Sequence, residues 1–280
     1  MSSRPALAGV LLLAACAKTE TRAPEQAAPP APAAPPVVTV TANDFAFEMP
    51  DTIASGPTVF RLINNGTELH HLQILRLLEG KTMADFAALP PGPTPEWIVE
   101  VGGPNSSRPG GGQSETGLNL TMGTYLAVCF IPSPDGKPHI AKGMVKPFMV
   151  LPGAEASAAA LPTPDLTMNL TDYTFELSGP ITAGKHIIRV INQAEQPHEV
   201  VFARLAEGKT AQDLALWSEK MEGPPPGEPI GGTVGLAQFV ENYVIADFTP
   251  GEYALLCFLP DAKDGKPHIS HGMVQQITVN

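Results

Sequence analysis

Basic residues are scarce. Seventeen Lys and Arg stand against 28 Asp and Glu, leaving a formal net charge of −11. A nucleic-acid binder would show a basic patch or stripe, so no nucleic-acid partner is expected. Long apolar runs are missing too. The run Ala6–Ala15 has ten residues, half of the roughly 20 that span a bilayer. Cysteine occurs three times, and the two beyond the N-terminal segment lie in different halves, which suggests a local role rather than a disulfide. Gly80-Lys81-Thr82 and Gly208-Lys209-Thr210 are not phosphate loops, because the required earlier Gly is Leu75 in one and Ala203 in the other. No His-x-His pair occurs, and neither Cys129 nor Cys257 has a neighbouring His.

What is abundant is turn chemistry. Thirty-one Pro and 26 Gly accompany only 6% aromatics, within a chain that is 43% hydrophobic. That combination suits short strands joined by many turns, plus linker. Residues 1–16 read as an export signal, with Arg4 ahead of the short apolar core. Leu13-Ala14-Ala15-Cys16 resembles the lipobox of bacterial lipoproteins, which implies lipidation at Cys16. Residues 17–36 are rich in Ala and Pro and read as an extended tether. The expected location is the cell envelope, on the periplasmic side, anchored to a membrane surface by lipid.

Beyond the tether the chain repeats itself. Glu79-Gly80-Lys81-Thr82 returns as Glu207-Gly208-Lys209-Thr210, and Cys129 returns as Cys257, both at an offset of 128. Asp135-Gly136-Lys137-Pro138-His139 returns as Asp264-Gly265-Lys266-Pro267-His268, at an offset of 129. The expected organisation is one domain at 37–151, a linker at 152–164 and a second domain at 165–280. Each half shows seven or so short strands with turn punctuation. Each also shows one short helix, over 81–89 and 210–217, opened by Thr82 with Asp85 and by Thr210 with Asp213. The glycines at 102–103 and 110–112 read as flexible loop. The fold class is therefore all-β, two tandem sandwiches each with a short helical insertion.

The chemistry gathers at one stretch of each half. In the first, Cys129, His139 and Met144 follow the apolar strand Tyr125–Val128; in the second, Cys257, His268 and Met273 follow Tyr253–Leu256. One Cys, two His and a weak Met are the donor set of a blue-copper electron-transfer site. The second His must come from a distant strand. His70 and His71 are the candidates in the first half, and the repeat decides between them: His70 falls on His198, whereas His71 falls on Glu199. His71 is then a neighbour of the site or a surface residue, His186 a solvated one, and His271 a loop variant of Lys142.

The order of an early His after an Asn-containing turn, Gly-x-Tyr-x-x-x-Cys, then His-x4-Met resembles the cupredoxin family of blue-copper proteins. Gly123 to Cys129 with His139 and Met144 show it, as do Gly251 to Cys257 with His268 and Met273. The resemblance implies two Greek-key sandwiches, each with a type 1 copper held by His70, Cys129, His139 and Met144, or by His198, Cys257, His268 and Met273. It implies single-electron transfer through a solvent-facing His139 or His268, to a redox partner such as a cytochrome or respiratory complex. Ile131, Pro132, Pro138 and Ile140, with their counterparts Leu259, Pro260, Pro267 and Ile269, would form a docking patch. The Cys-to-His loops hold nine and ten residues, longer than in small cupredoxins. The Asn that commonly follows the first His is replaced by His71 and Glu199. Copper storage or delivery, a metal-free scaffold, and a copper oxidoreductase with an inter-domain site are the competing readings. With no further His motif, no enzymatic activity is expected.

Overall fold

The computed structural model describes residues 33–90, 92, 94–153 and 159–280. The expected signal at 1–16, its Cys16 and nearly all of the 17–36 tether lie outside these residues. The described end of the tether is paired: Ala33 bridges Ala159. Among the described residues no helix is long and apolar enough to cross a membrane.

The first repeat contributes β1 (Val37–Asn43), β2 (Ala46–Glu48), β3 (Thr52–Ala54), β4 (Gly56–Asn64), β5 (Gln73–Leu77), α1 (Met83–Ala87), β6 (Ile98–Gly102), β7 (Gly112–Leu120), β8 (Gly123–Val128) and β9 (Val145–Leu151). The second contributes β10 (Leu166–Thr171), β11 (Thr174–Leu177), β12 (Gly184–Asn192), β13 (His198–Leu205), α2 (Ala211–Lys220), β14 (Gly227–Leu236), β15 (Glu241–Phe248), β16 (Gly251–Leu256) and β17 (Val274–Val279). The fold is all-β, as the sequence led us to expect. Alternation does the sorting: β1 buries Val40 and Ala42 and turns Thr39 and Thr41 to the other face.

Each repeat closes a core between two sheets. Phe60, Leu62, Leu72, Ile74, Tyr125 and Cys129 share the first. Val190, Val200, Phe202, Phe248, Tyr253 and Cys257 share the second. Full burial of such side chains stabilises by about 1.5–3 kcal/mol each. The Tyr of each Gly-x-Tyr motif reaches back four residues, Tyr125 Oη donating to the Thr121 carbonyl at 2.7 Å and Tyr253 Oη to that of Thr249 at 3.0 Å. This pins the strand that ends in the Cys. Both helices start in the reciprocal cap read from the sequence, Thr82 with Asp85 and Thr210 with Asp213.

The sheets do not stop at the repeat boundary. β7 pairs antiparallel with β15, and β6 with β14, so two sheets of eight and nine strands run through both halves. Equivalent strands thus meet each other, as at the interface of a two-fold dimer. Of the glycines expected to form loops, Gly110 and Gly111 do lie in a turn, whereas Gly102, Gly103 and Gly112 border this junction. Gly102 ends β6 and Gly112 opens β7. The Gly103 N–H donates to Asn242 Oδ1 at 2.9 Å, and a Cβ on Gly103 would lie 2.3 Å from the Leu72 carbonyl. Close backbone approach, not flexibility, selects glycine there.

Candidate metal centres

The turn before each distant His is folded by a buried Asn. Asn64 accepts from the Gly66 N–H at 3.0 Å and donates to the Glu68 carbonyl at 3.0 Å. Asn192 does the same with Ala194 and Gln196. On the other side, Pro138 and Pro267 start one turn of 3-10 helix at His139–Lys142 and His268–His271, which Gly143 and Gly272 end with left-handed backbones, φ 102° and 93°. The Met144 N–H then donates to the His139 carbonyl at 3.0 Å, and the Met144 carbonyl accepts from Cys129 N at 3.2 Å. Met273 ties His268 to Cys257 in the same way.

Three donors converge in each repeat: His70, Cys129 and His139, and His198, Cys257 and His268. All six are 0% exposed. In the first repeat the two Nδ1 atoms lie 3.0 Å apart, and Cys129 Sγ is 3.3 Å from His139 Nδ1. In the second, Cys257 Sγ lies 3.3 Å from His268 Nδ1 and 3.9 Å from His198 Nδ1. Met144 and Met273 are likewise 0% exposed.

Carboxylates hold the outer ring nitrogens. His70 Nε2 meets Asp44 Oδ1 at 2.9 Å, His139 Nε2 meets Glu68 Oε2 at 2.9 Å, and His198 Nε2 meets Asp172 Oδ1 at 3.1 Å. An Nε2–H given to a carboxylate leaves Nδ1 as a bare acceptor, the state a metal ligand needs. Two such acceptors at 3.0 Å repel each other unless a cation or proton sits between them. The donor set therefore fits one soft-to-borderline ion, such as copper, in each repeat. His268 departs from the rule: among the described residues its Nε2 has no hydrogen-bond partner, and Asp261 Oδ2 stands 3.8 Å away.

Burial lowers the proton affinity of His70 and His198, and brings His268 down to about 4. The same desolvation raises the Cys129 thiol to about 11 and the Cys257 thiol further. An ion entering either pocket displaces a thiol proton, so binding releases protons.

The expected solvent-facing ligand is not present. His139 and His268 are fully buried under an aromatic ring from the first hairpin of each repeat. Phe45 meets His139 edge-on at 5.2 Å and Tyr173 meets His268 edge-on at 5.7 Å. Both aromatics take left-handed backbones, φ 68° and 65°, a conformation rare for bulky residues. Each follows the Asp that holds the other histidine, so one turn serves both imidazoles. Comparing Asn43-Asp44-Phe45 with Thr171-Asp172-Tyr173 across the repeat could have found this pair from sequence.

His71 and Glu199 occupy equivalent places. His71 Nε2 accepts from the Phe130 N–H at 2.9 Å, and Glu199 Oε1 from the Phe258 N–H at 2.9 Å. Each thus clamps the residue after its Cys. His186 pairs with Asp165. His271 joins Asp264 where the first repeat has the Lys142–Asp135 ion pair, and with Asp261 it forms a third cluster of metal-capable side chains. Its counterpart in the first repeat is that ordinary ion pair.

No family model and no curated protein matches the chain. Solved structures do. Dithionite-reduced auracyanin from the photosynthetic bacterium Roseiflexus castenholzii is 18% identical, with a TM-score of 0.31, over 41% of this chain and 94% of its own. The blue copper oxidase of Nitrosomonas europaea is 16% identical, TM-score 0.27, over 87% of this chain and 86% of its own. The copper-containing nitrite reductase of Thermus scotoductus SA-01 is 12% identical, TM-score 0.23, over 88% of this chain and 62% of its own. The expectation of no enzymatic activity is corrected by the same finding, since an oxidase and a nitrite reductase stand among the neighbours that span both repeats. Two joined sandwiches do not separate carriers from enzymes, and a missing His-x-His pair does not decide the question.

Proposed function

We propose that the chain is an exported copper protein with one type 1 centre in each repeat, exchanging single electrons with a redox partner such as a cytochrome or respiratory complex. One observation carries the reading: in both repeats two imidazole Nδ1 atoms and a Cys sulfur face one buried point, with carboxylates beside the opposite ring nitrogens. His70, Cys129, His139 and Met144 would hold copper in the first repeat, and His198, Cys257, His268 and Met273 in the second. Copper bound to this donor set supplies reversible Cu(I)/Cu(II) exchange. The residues contribute the rest. Burial keeps water out, carboxylates fix three of the four imidazoles, and the backbone ties from Met144 and Met273 hold Cys and His in register.

Electrons would pass through the covering aromatics, Phe45 and Tyr173, rather than through an exposed imidazole. Phe130 and Phe258, 42% and 36% exposed beside the two cysteines, extend the apolar docking patch. Lipid on Cys16 and the Pro-rich 17–36 segment would hold the sandwiches close to a membrane surface. Adding Cu(II) to the apoprotein should give an intense thiolate-to-copper absorption with two coppers per chain. Cys129→Ser and Cys257→Ser should each remove one copper and its share of the band. A band that survives in the double variant would overturn the assignment.

A further inference from the structure

The sequence gives each repeat a complete set of donors, yet the structure shows one centre leaning on the other repeat. Glu199 is buried, 4% exposed, and carries two obligations. Its Oε1 accepts from the Phe258 N–H at 2.9 Å, and its Oε2 accepts from Asn105 Nδ2 at 3.0 Å. Asn105 belongs to the first repeat, between β6 and β7. It is 2% exposed, and its rotamer is set by the Ser106 N–H, which donates to Oδ1 at 2.7 Å. That leaves Nδ2 facing the second repeat, where the Val200 and Thr233 carbonyls stand at 3.4 and 3.3 Å. Asn105 N also donates to the Gly232 carbonyl at 3.2 Å. Among the described residues His71, the counterpart of Glu199, has no such support: it holds Phe130 directly with a single ring nitrogen.

We infer that Asn105 is a positioning residue for the metal centre of the second repeat, acting through Glu199 on the backbone that follows Cys257. A Glu side chain has one more rotatable bond than a His side chain. Fixing one oxygen on Asn105 fixes the other on Phe258, and so fixes the Cys257 sulfur relative to His268. Glu199 also presents its own N–H to Cys257 Sγ at 3.5 Å, so its placement reaches the sulfur by two routes. Partners that orient a metal's ligands change its affinity by about 10–100-fold when lost; Glu199 is such a partner of Cys257, and Asn105 acts through it. The two centres are joined as well. The Leu72 N–H, next to His71, donates to the Pro104 carbonyl at 3.0 Å, and Pro104 precedes Asn105. Hydrogen bonds and chain links thus connect the Phe130 N–H, through His71, Leu72, Pro104, Asn105 and Glu199, to the Phe258 N–H.

The inference rests on copper binding as proposed above, and the test separates the two. In a full-length Cys129→Ser chain only the second centre reports. Copper loss to a Cu(I) chelator and the thiolate-to-copper band are followed with and without Asn105→Ala. The expected result is release at least tenfold faster with a shifted band. In a Glu199→His background, which copies the arrangement of the first repeat, Asn105→Ala should change release less than twofold. Release unchanged within twofold in the first background overturns the inference, and so does an equal loss in both. If Asn105→Ala does not fold, Glu199→Gln serves, because its NH2 replaces one of the two acceptor oxygens and faces the N–H donor of Asn105 or Phe258; unchanged release in that variant again overturns the inference. Absence of any thiolate band before mutation would instead refute copper binding.

Discussion

The two repeats build the same pocket from different supports. In the first, Glu68 takes the Nε2 of the second histidine, Phe45 covers it, and neutral His71 clamps the backbone after Cys129. In the second, Asp261 stands off at 3.8 Å, Tyr173 covers the ring while donating to Asp261, and Glu199 clamps with help from Asn105. The donors are alike in kind and order; the groups around them are not. Duplicated sites diverge where substitution alters tuning while leaving the ligand geometry in place.

The comparison breaks most sharply at the turn before the first histidine. A Cβ on Gly66 would lie 2.3 Å from Asp44 Oδ1 and 2.5 Å from His70 Nε2, whereas the second repeat already carries Ala194. Gly66→Ala should speed copper release from the first repeat by about tenfold or more, while Ala194→Gly leaves the second repeat nearly unchanged. Chelator competition, with the other centre removed by its Cys→Ser change, reads both.

Acid should expose the histidines. Folding lowers the proton affinity of His70, His198 and His268, the last to about 4. The unfolded chain then binds more protons below the ordinary histidine value. Apoprotein stability should therefore fall as pH drops from about 6.5 towards 4, by up to about 1.4 kcal/mol per pH unit for each histidine. Thermal melts of the apoprotein across that window measure it, and copper should blunt the loss.

Glu100 works in the opposite direction. Burial raises its carboxyl to about 7, and one of its oxygens has no partner. The stability tied to its protonated form is present below the ordinary glutamate value and is lost as pH rises through about 7. Glu100→Gln should add about 1–2 kcal/mol at pH 8 and much less at pH 4. Denaturant titrations at both values check it. Smallest is Tyr173→Phe, which makes the cover of the second repeat like that of the first. Losing the hydroxyl that donates to Asp261 should cost about 1 kcal/mol, seen as a lower urea midpoint. Removing Phe45 from the first repeat touches no such bond.

Much of this was legible along the chain. The offset of 128 placed His70 opposite His198 and set His71 aside, and the structure brings those two histidines to the two cysteines. Turn punctuation and the Thr-x-x-Asp caps gave the strands and helix starts, because those signals are local. Burial of His139 and His268 was not legible. It depends on a hairpin tip about a hundred residues earlier in sequence, folding over each site.

What the residues alone determined is the repeat, the all-β class and the kinds of donor each half offers. These follow from residue type and spacing, which a linear chain displays in full. Only the tertiary structure decided that β7 meets β15 and β6 meets β14, that carboxylates back the imidazoles, and that Asn105 reaches Glu199. Position 105 has Thr233 at its repeat offset, so no internal comparison singles it out. Its role arises where two edges join, and a contact between distant segments leaves no pattern in either one.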